Sequence, residues 1–339
     1  IQAIPVGIDP VHIRDGIQIL RIGSNQFKIS FHDESVEVDL NLAAGGSYQS
    51  PYPLNFHNIE RGYFDVIHSG DGDGWDVRRP SMASALIFQG SVYLIDAGPN
   101  IDATLRALGI GINEIEGLFH THSHDDHFAG ITTLIRAGKR IKYYATPLVR
   151  SAVAKKVSAL LSINERFFGD FFEIHDLTLN EWNQVNGLEV RPMYSPHPVE
   201  NNIYLFRTLG QKGVVSYAHF SDIAAFSILE GMVTEEGENV GITRAELNQI
   251  KADYHIPASV KKIDAGGGLI HGDPEDFRTD SSAKIILSHR AGEFSKSERE
   301  IGSGAPFGTT HSLVHSFQNF HSRSAFLALG RYFSSIKPD

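Results

Sequence analysis

From Phe119 to Gly130 the chain reads Phe-His-Thr-His-Ser-His-Asp-Asp-His-Phe-Ala-Gly, which sets His122, His124, Asp126 and His127 in the order His-x-His-x-Asp-His. Side chains two apart point to different sides of a helix, so this run cannot be one helix face. It suits a turn at the end of a strand, where a short loop aims all four groups at one point. Three imidazoles and a carboxylate are nitrogen and oxygen donors of the kind that bind zinc, manganese or iron. Three further residues of ligand type, His197, Asp222 and His289, each follow a segment of strand character, the place where sheet scaffolds carry active residues. Asp222 also suits the cap of a helix beginning near Ile223.

The elements that must hold these groups can be traced along the chain. Residues 17–22, 27–31 and 36–40 read as strands parted by Gly- and Asp-containing turns. Residues 64–67 form a further strand, followed by the Gly- and Asp-rich stretch 69–76. Residues 85–88 and 92–95 read as a hairpin turned at Gln89-Gly90, and 100–108 has helical spacing with Ile101, Leu105 and Leu108 on one face. The short strand 117–119 feeds the histidine loop. Downstream, 131–137 and 147–161 read as helices on either side of a strand at 141–145. Residues 189–194, 203–207, 213–219 and 284–287 read as strands, and a Thr243-x-x-Glu246 capping box opens a helix over 243–254. Such a succession predicts stacked layers with sheets inside and helices outside.

The chain has 339 residues, 41% of them hydrophobic, enough for one large α/β domain with additions or two smaller domains. It contains no cysteine, which excludes disulfides, thiol nucleophiles, iron–sulfur clusters and Cys-type zinc fingers, and leaves His and carboxylates as metal ligands. Lack of disulfides agrees with a reducing, cytoplasmic setting. No apolar run of about 18 residues and no signal peptide is visible, so no membrane partner is expected. A net charge of −10 argues against bulk nucleic acid as the main partner, but not against a small anion at a local cationic site.

The order His-x-His-x-Asp-His, then His, Asp and His at strand ends, resembles the metallo-β-lactamase fold superfamily over residues 62–290. Val92-Tyr-Leu-Ile-Asp-Ala-Gly98 resembles the strand whose aspartate lies beneath the metal loop in that family. The resemblance implies an α/β fold, a four-layer αββα sandwich. Around it the expected division is a β-rich extension over 1–60, a catalytic domain over 61–292 and a C-terminal loop and helix over 293–339. The resemblance also implies two divalent metal ions, zinc first, with manganese or iron compatible. His122, His124 and His197 would bind one, Asp126, His127 and His289 the other, with Asp222 bridging and Asp96 orienting a ligand from behind. Two such ions, roughly 3.5–4 Å apart, hold a hydroxide that attacks phosphorus or a carbonyl carbon, so a hydrolase of this kind needs no protein nucleophile.

Branches of the superfamily differ at single ligands. Flavodiiron proteins carry a glutamate where this chain has His124, and zinc β-lactamases often a cysteine where it has Asp222; the chain leans away from both. Ile67-His-Ser-Gly-Asp-Gly-Asp-Gly74, followed by Arg78-Arg79-Pro80, resembles the opening of ribonuclease Z and related phosphodiesterases. A glycine-rich turn there would offer backbone N–H groups to an anion, and Arg78 and Arg79 charge-assisted contacts, although Asp71, Asp73 and Asp76 would repel phosphate. Residues 150–188 read as helix bearing Phe167, Phe168, Phe171 and Phe172, in place of the flexible basic arm with which ribonuclease Z grips tRNA. The expectation is therefore a phosphodiesterase for a small anionic substrate such as a cyclic nucleotide. A di-iron oxygen-binding protein and a thioester or lactone hydrolase stand as alternatives.

Ile263-Asp-Ala-Gly-Gly-Gly-Leu-Ile-His-Gly272 sets three glycines before His271. On a functional reading His271 donates a proton to the leaving group, joining Asp126 as a catalytic candidate; on the plainer one it is a structural histidine in a tight loop. His120 and His219 are kept outside the site. Residues 310–332 read as mostly helical with His311 and His315 on one face. The N-terminal 60 residues read as an addition that dimerises or covers substrate, so a homodimer is compatible.

Overall fold

A computed structural model of the chain describes residues 4–41, 43–44, 49–234 and 240–315. The chain divides into two compact units, Ile1–Pro51 and Tyr52–Asp339. The first is an antiparallel meander of β1 (Val11–His12), β2 (Ile17–Gly23), β3 (Gln26–Phe31) and β4 (Glu34–Asp39). Its register lines up Val11, Ile19, Ile29 and Val36 across the four strands, an apolar ladder on one face.

The second unit opens with β5 (Phe64–Gly70), β6 (Ala83–Phe88), β7 (Ser91–Ile95), β8 (Ile115–Phe119), β9 (Ile141–Ala145) and β10 (Phe172–Asp176). It continues with β11 (Asn183–Val185), β12 (Leu188–Tyr194), β13 (Asn202–Gly210), β14 (Gly213–Phe220), β15 (Val260–Asp264), β16 (Ile285–Ser288) and β17 (Thr310–Val314). One sheet has the order β10-β9-β8-β7-β6-β5-β17 and the other β11-β12-β13-β14-β15-β16. Alternation along the strands sorts side chains into three apolar layers. Ala85 and Ile87 pack with Ile101, Leu105, Phe128 and Val153 from the helices outside the first sheet. Leu86 and Phe88 pack instead with Val190, Tyr204 and Phe206 across the gap between sheets. Ile203 and Leu205 face Leu247, Ile250 and Tyr254 on the far side of the second sheet. Three cores between four layers make the αββα sandwich.

Strands β7 to β10 are mutually parallel, as are β14 to β16, and β12 runs with β14 because each is antiparallel to β13. In open α/β sheets the carboxyl ends of parallel strands form the functional edge. The helix expected over 243–254 forms as Arg244–Tyr254, with Thr243 and Glu246 closing a reciprocal capping box.

Two expectations need correction. The stretch 150–188 is helical only in part: after Pro147–Leu161 and two short turns the chain enters β10 and then β11. Phe172 begins β10 and is buried with Phe168 against the first sheet's helices, Phe171 packs on them, and Phe167 is exposed, so the aromatic run does not form one helix face. The tail expected as helix begins instead with β17, which pairs antiparallel with β5. His311 there meets His68 of β5, Nδ1 to Nε2 at 2.9 Å. His315 follows the strand, and residues 316–332 lie outside the described residues.

Candidate metal centre

The histidine loop leaves β8 in extended form through His124 and then closes one helical turn, Asp125–Phe128. Extended backbone repeats every two residues, which puts His122 and His124 on one side, and the turn swings Asp126 and His127 back beside them. His197 follows β12, Asp222 follows β14 and His289 follows β16. Ligating atoms of His122, His124, His197 and Asp222 lie within 4.8 Å of one another, and so do those of Asp126, His127, Asp222 and His289. Asp222 belongs to both sets. Its Oδ2 is 3.4 Å from His197 Nε2 and 3.7 Å from His122 Nε2, while its Oδ1 is 3.0 Å from His127 Nε2 and 3.3 Å from His289 Nε2. Asp126 Oδ2 is 3.2 Å from both His127 Nε2 and His289 Nε2.

The donor set fits divalent cations. His122 Nε2, His127 Nε2 and Asp222 Oδ1 are fully buried with no hydrogen-bond partner, although a buried polar atom is ordinarily paired. Nitrogen and carboxylate oxygen without sulfur suit zinc, manganese and iron alike. The electrostatics agree. Burial works to lower the pKa of His127, yet Asp126, Asp222 and Asp96 raise it well above the ordinary value. Burial likewise opposes the charge on His289, which Asp222 and Asp264 hold well above ordinary. The carboxylate surplus around these two rings is what divalent cations would neutralise. His122, by contrast, is pushed well below the ordinary value by burial and by neighbouring His127.

Supporting contacts fix the rings. Asp96 Oδ2 accepts from His127 Nδ1 at 2.8 Å and from the Thr121 hydroxyl at 2.7 Å, and Oδ1 accepts from the Thr121 amide at 2.8 Å. The Thr121 hydroxyl also lies 3.0 Å from His122 Nδ1. Asp264 serves the other side: Oδ2 is 3.1 Å from His271 Nδ1 and Oδ1 is 3.4 Å from His289 Nδ1. Asn201 and Ser195 side chains donate to the Asp222 carbonyl, holding the backbone of the residue the two sets share. Asp96 and His289 both have left-handed backbone, φ 65° and 60°. Strain of that kind, of order 1–3 kcal/mol per residue, persists where surrounding contacts over-determine it.

Not every candidate residue is brought to this cluster in the same way. His271 is at the site, its ring 4.6 Å from that of His289 and its side chain partly exposed. The two arginines expected at substrate are engaged elsewhere. Arg79 donates to Asp76 and Asp71, each at 3.0 Å, and to the Arg290 carbonyl, so it braces the loop after β5. Arg78 pairs with Asp76 at 2.9 Å and is largely exposed. His120 and His219 are buried outside the ligand sets, bonded to the hydroxyls of Tyr143 and Tyr217. Sequence reasoning missed Thr121, Asn201 and above all Asp264. One signal could have found Asp264: Ile-Asp-Ala-Gly occurs at residues 95–98 and again at 263–266, each time at the end of a strand.

Comparison with known proteins places the chain. Residues 65–222 match the family model described as anti-Pycsar protein Apyc1. The chain is 23% identical over 167 residues to the cAMP/cGMP-dependent 3′,5′-cAMP/cGMP phosphodiesterase B of Dictyostelium discoideum, covering 49% of this chain and 15% of that protein. It is 32% identical over 108 residues to ribonuclease Z of Methanopyrus kandleri, covering 30% of this chain and 38% of that protein. It thus spans well under half the length of either curated relative. Among solved structures, the metallo-β-lactamase fold protein YhfI of Bacillus subtilis superposes with a TM-score of 0.52 at 13% identity, covering 73% of this chain and 98% of that one. With its two stacked sheets, the His and Asp side chains clustered at its strand ends and these likenesses, the chain has the metallo-β-lactamase fold.

Proposed function

We propose that this chain is a dinuclear metal-dependent phosphodiesterase acting on a small anionic phosphodiester, a 3′,5′-cyclic nucleotide being the first candidate. Asp222 carries the reading, because its two carboxylate oxygens serve two separate donor sets. His122, His124 and His197 would hold one divalent ion and Asp126, His127 and His289 the other, with zinc, manganese or iron acceptable to these donors. When bound, such ions supply Lewis acidity and an acidified water. The chain's own residues do the rest. Asp96 accepts from Nδ1 of His127 and Asp264 faces Nδ1 of His289 at 3.4 Å, with each Nε2 toward the shared carboxylate. Asp264 also holds Nδ1 of His271, leaving Nε2 of that ring as the nitrogen that delivers a proton to a departing alkoxide.

Small size of the substrate is supported by three things. The net charge is −10, the segment between the histidine loop and His197 folds into helices and strands, and one relative is named for cyclic-nucleotide hydrolysis. The test pairs elemental analysis of the purified protein with turnover of bis(p-nitrophenyl) phosphate and of 3′,5′-cAMP and cGMP. The expected result is about two zinc or manganese ions per chain, with turnover lost on chelation and restored by metal. Two irons, a visible band that responds to oxygen and no hydrolysis would overturn the proposal. Cleavage of thioesters or lactones with no phosphodiester turnover would do so as well.

A further inference from the structure

We infer that Trp75 is a stacking platform for the base of a nucleotide whose phosphate sits in the His/Asp cleft; the inference rests on the phosphodiesterase reading. Trp75 lies in the loop between β5 and β6, and that loop is fastened to the metal centre. The Asp71 carbonyl accepts from the amide of His289 at 2.8 Å, Gly72 and Ser81 form a bridge, and Arg79 ties Asp71 and Asp76 together. Gly74 has φ +79°, and a Cβ built on it would lie 2.6 Å from Asp126 Oδ2, so bare backbone runs against a ligand carboxylate. Trp75 is one peptide further, about 3.8 Å between Cα atoms. Asp73 Oδ1 accepts from the amides of both Trp75 and Asp76, at 3.0 and 2.9 Å, which fixes the tip.

On this braced tip the indole is 88% exposed and Val77 70%. A rigid loop that offers a large ring to solvent gains nothing from packing. The glycine loop before His271 repeats the arrangement: a Cβ on Gly266 would lie 2.8 Å from the His289 carbonyl and 3.0 Å from His271 Cβ, and Leu269 beyond it is 79% exposed. Both loops touch metal ligands, and both end in apolar side chains. A phosphodiester held at the cleft projects its esterified groups to this rim. The group that an indole takes up most favourably there is a flat heterocycle, which stacks on it whatever its hydrogen-bonding pattern.

The test is binding to the full-length, metal-loaded protein, read by calorimetry and tryptophan fluorescence. The chain has two tryptophans, and Trp182 lies beneath the Arg207 guanidinium at 3.6 Å, so the exposed indole is separable. Titration with 5′-AMP is expected to quench emission, whereas ribose 5-phosphate and inorganic phosphate do not. Trp75→Ala weakens 5′-AMP about tenfold and leaves ribose 5-phosphate unchanged. Trp75→Phe restores affinity without the quench. If the wild type binds 5′-AMP no tighter than ribose 5-phosphate, or if Trp75→Ala binds both as the wild type does, the platform is wrong. The readout needs no turnover. Quenching by 5′-AMP in a protein that hydrolyses no cyclic nucleotide would uphold the platform and sink the activity, and normal hydrolysis by Trp75→Ala would do the reverse.

Discussion

The tetrapeptide Ile-Asp-Ala-Gly closes β7 in the first sheet and β15 in the second, and its two aspartates do similar work with unequal loads. Asp96 holds one imidazole, His127, together with the amide and hydroxyl of Thr121. Asp264 faces two imidazoles, His289 and His271, and also accepts from the amides of Ile223, Gly266 and Gly272. The likeness is not a structural copy. Ile95 packs between the sheets, whereas Ile263 packs on the outer, helical side, so the two strands present the motif in opposite phase. What recurs is a buried carboxylate placed behind an imidazole, a local solution that either sheet can supply. What differs is reach: one aspartate backs a single imidazole of the cluster, the other backs two.

The largest effect should follow from breaking the heavier load. Asp264→Asn keeps the size of the side chain and one acceptor but presents an amide to the two rings. It is expected to lower cyclic-nucleotide turnover by about 10³-fold or more, combining weaker metal retention with loss of the oriented acid. Metal content and turnover, measured on a variant whose thermal transition is intact, give the answer; a loss no greater than that of Asp96→Asn would erase the distinction between the aspartates. His271→Ala separates the two parts of that load. Turnover of 3′,5′-cAMP should fall about 10²–10³-fold with metal content unchanged. Bis(p-nitrophenyl) phosphate, whose leaving group needs no proton, should be hydrolysed nearly as before. Equal losses on both substrates would remove His271 from the role of acid.

How much of this was legible follows from how local each constraint is. The ligand loop is contiguous and its residue types are rare together, so His122, His124, Asp126 and His127 stand out. His197, Asp222 and His289 could be picked out because each follows a short apolar run, and the fold brings them to the same cluster. Asp264 was not, because two lysines interrupt the apolar character of Val260-Lys-Lys-Ile-Asp264, while the fold buries all five residues. Lys261 reaches the Tyr254 carbonyl at 2.8 Å and Asp280, and Lys262 reaches the carbonyls of Gly70 and Ala83 at 2.6 and 2.7 Å. Tyr254 is seven residues from Lys261, but the partners of Lys262 lie far away in sequence, and no local pattern announces them. The start of the tail went wrong for a related reason. The spacing of His311 and His315 satisfies a helix, but β5 offers an open edge, and pairing with it outweighs local propensity.

The lighter load gives a smaller and more selective effect. Asp96→Asn should leave His124 and His197 untouched, reach His122 only through the Thr121 hydroxyl, and disturb chiefly the orientation of His127. Chelator competition should then show one of two metals released about 10–100-fold more readily, with the other retained. Loss of both metals together would mean that the halves are coupled through Asp222 more tightly than through their separate backing groups. In that case the comparison should be drawn between ligands and not between aspartates.

The smallest effect tests the residue before each motif, Leu94 in one strand and Lys262 in the other. Leu94 packs against the helices, while Lys262 lies in the gap between sheets with two backbone carbonyls as its partners. Burial pushes the pKa of Lys262 from 10.5 down to about 7, against the pull of Asp71 and Asp96. Between about 7 and 10.5 the folded protein therefore sheds a proton that the unfolded chain keeps, and stability rises with pH through that window. Below it both states are protonated and the cost of burying the charge is fully present. Lys262→Met should flatten this dependence, removing up to about 1.4 kcal/mol per pH unit from the slope of unfolding free energy. The difference between wild-type and variant denaturation midpoints, followed from pH 7 to 10, reads it directly. Parallel curves would mean that the lysine stays charged throughout. Asp71 and Asp96 would then be its effective counter-charges, binding the second motif electrically to the first.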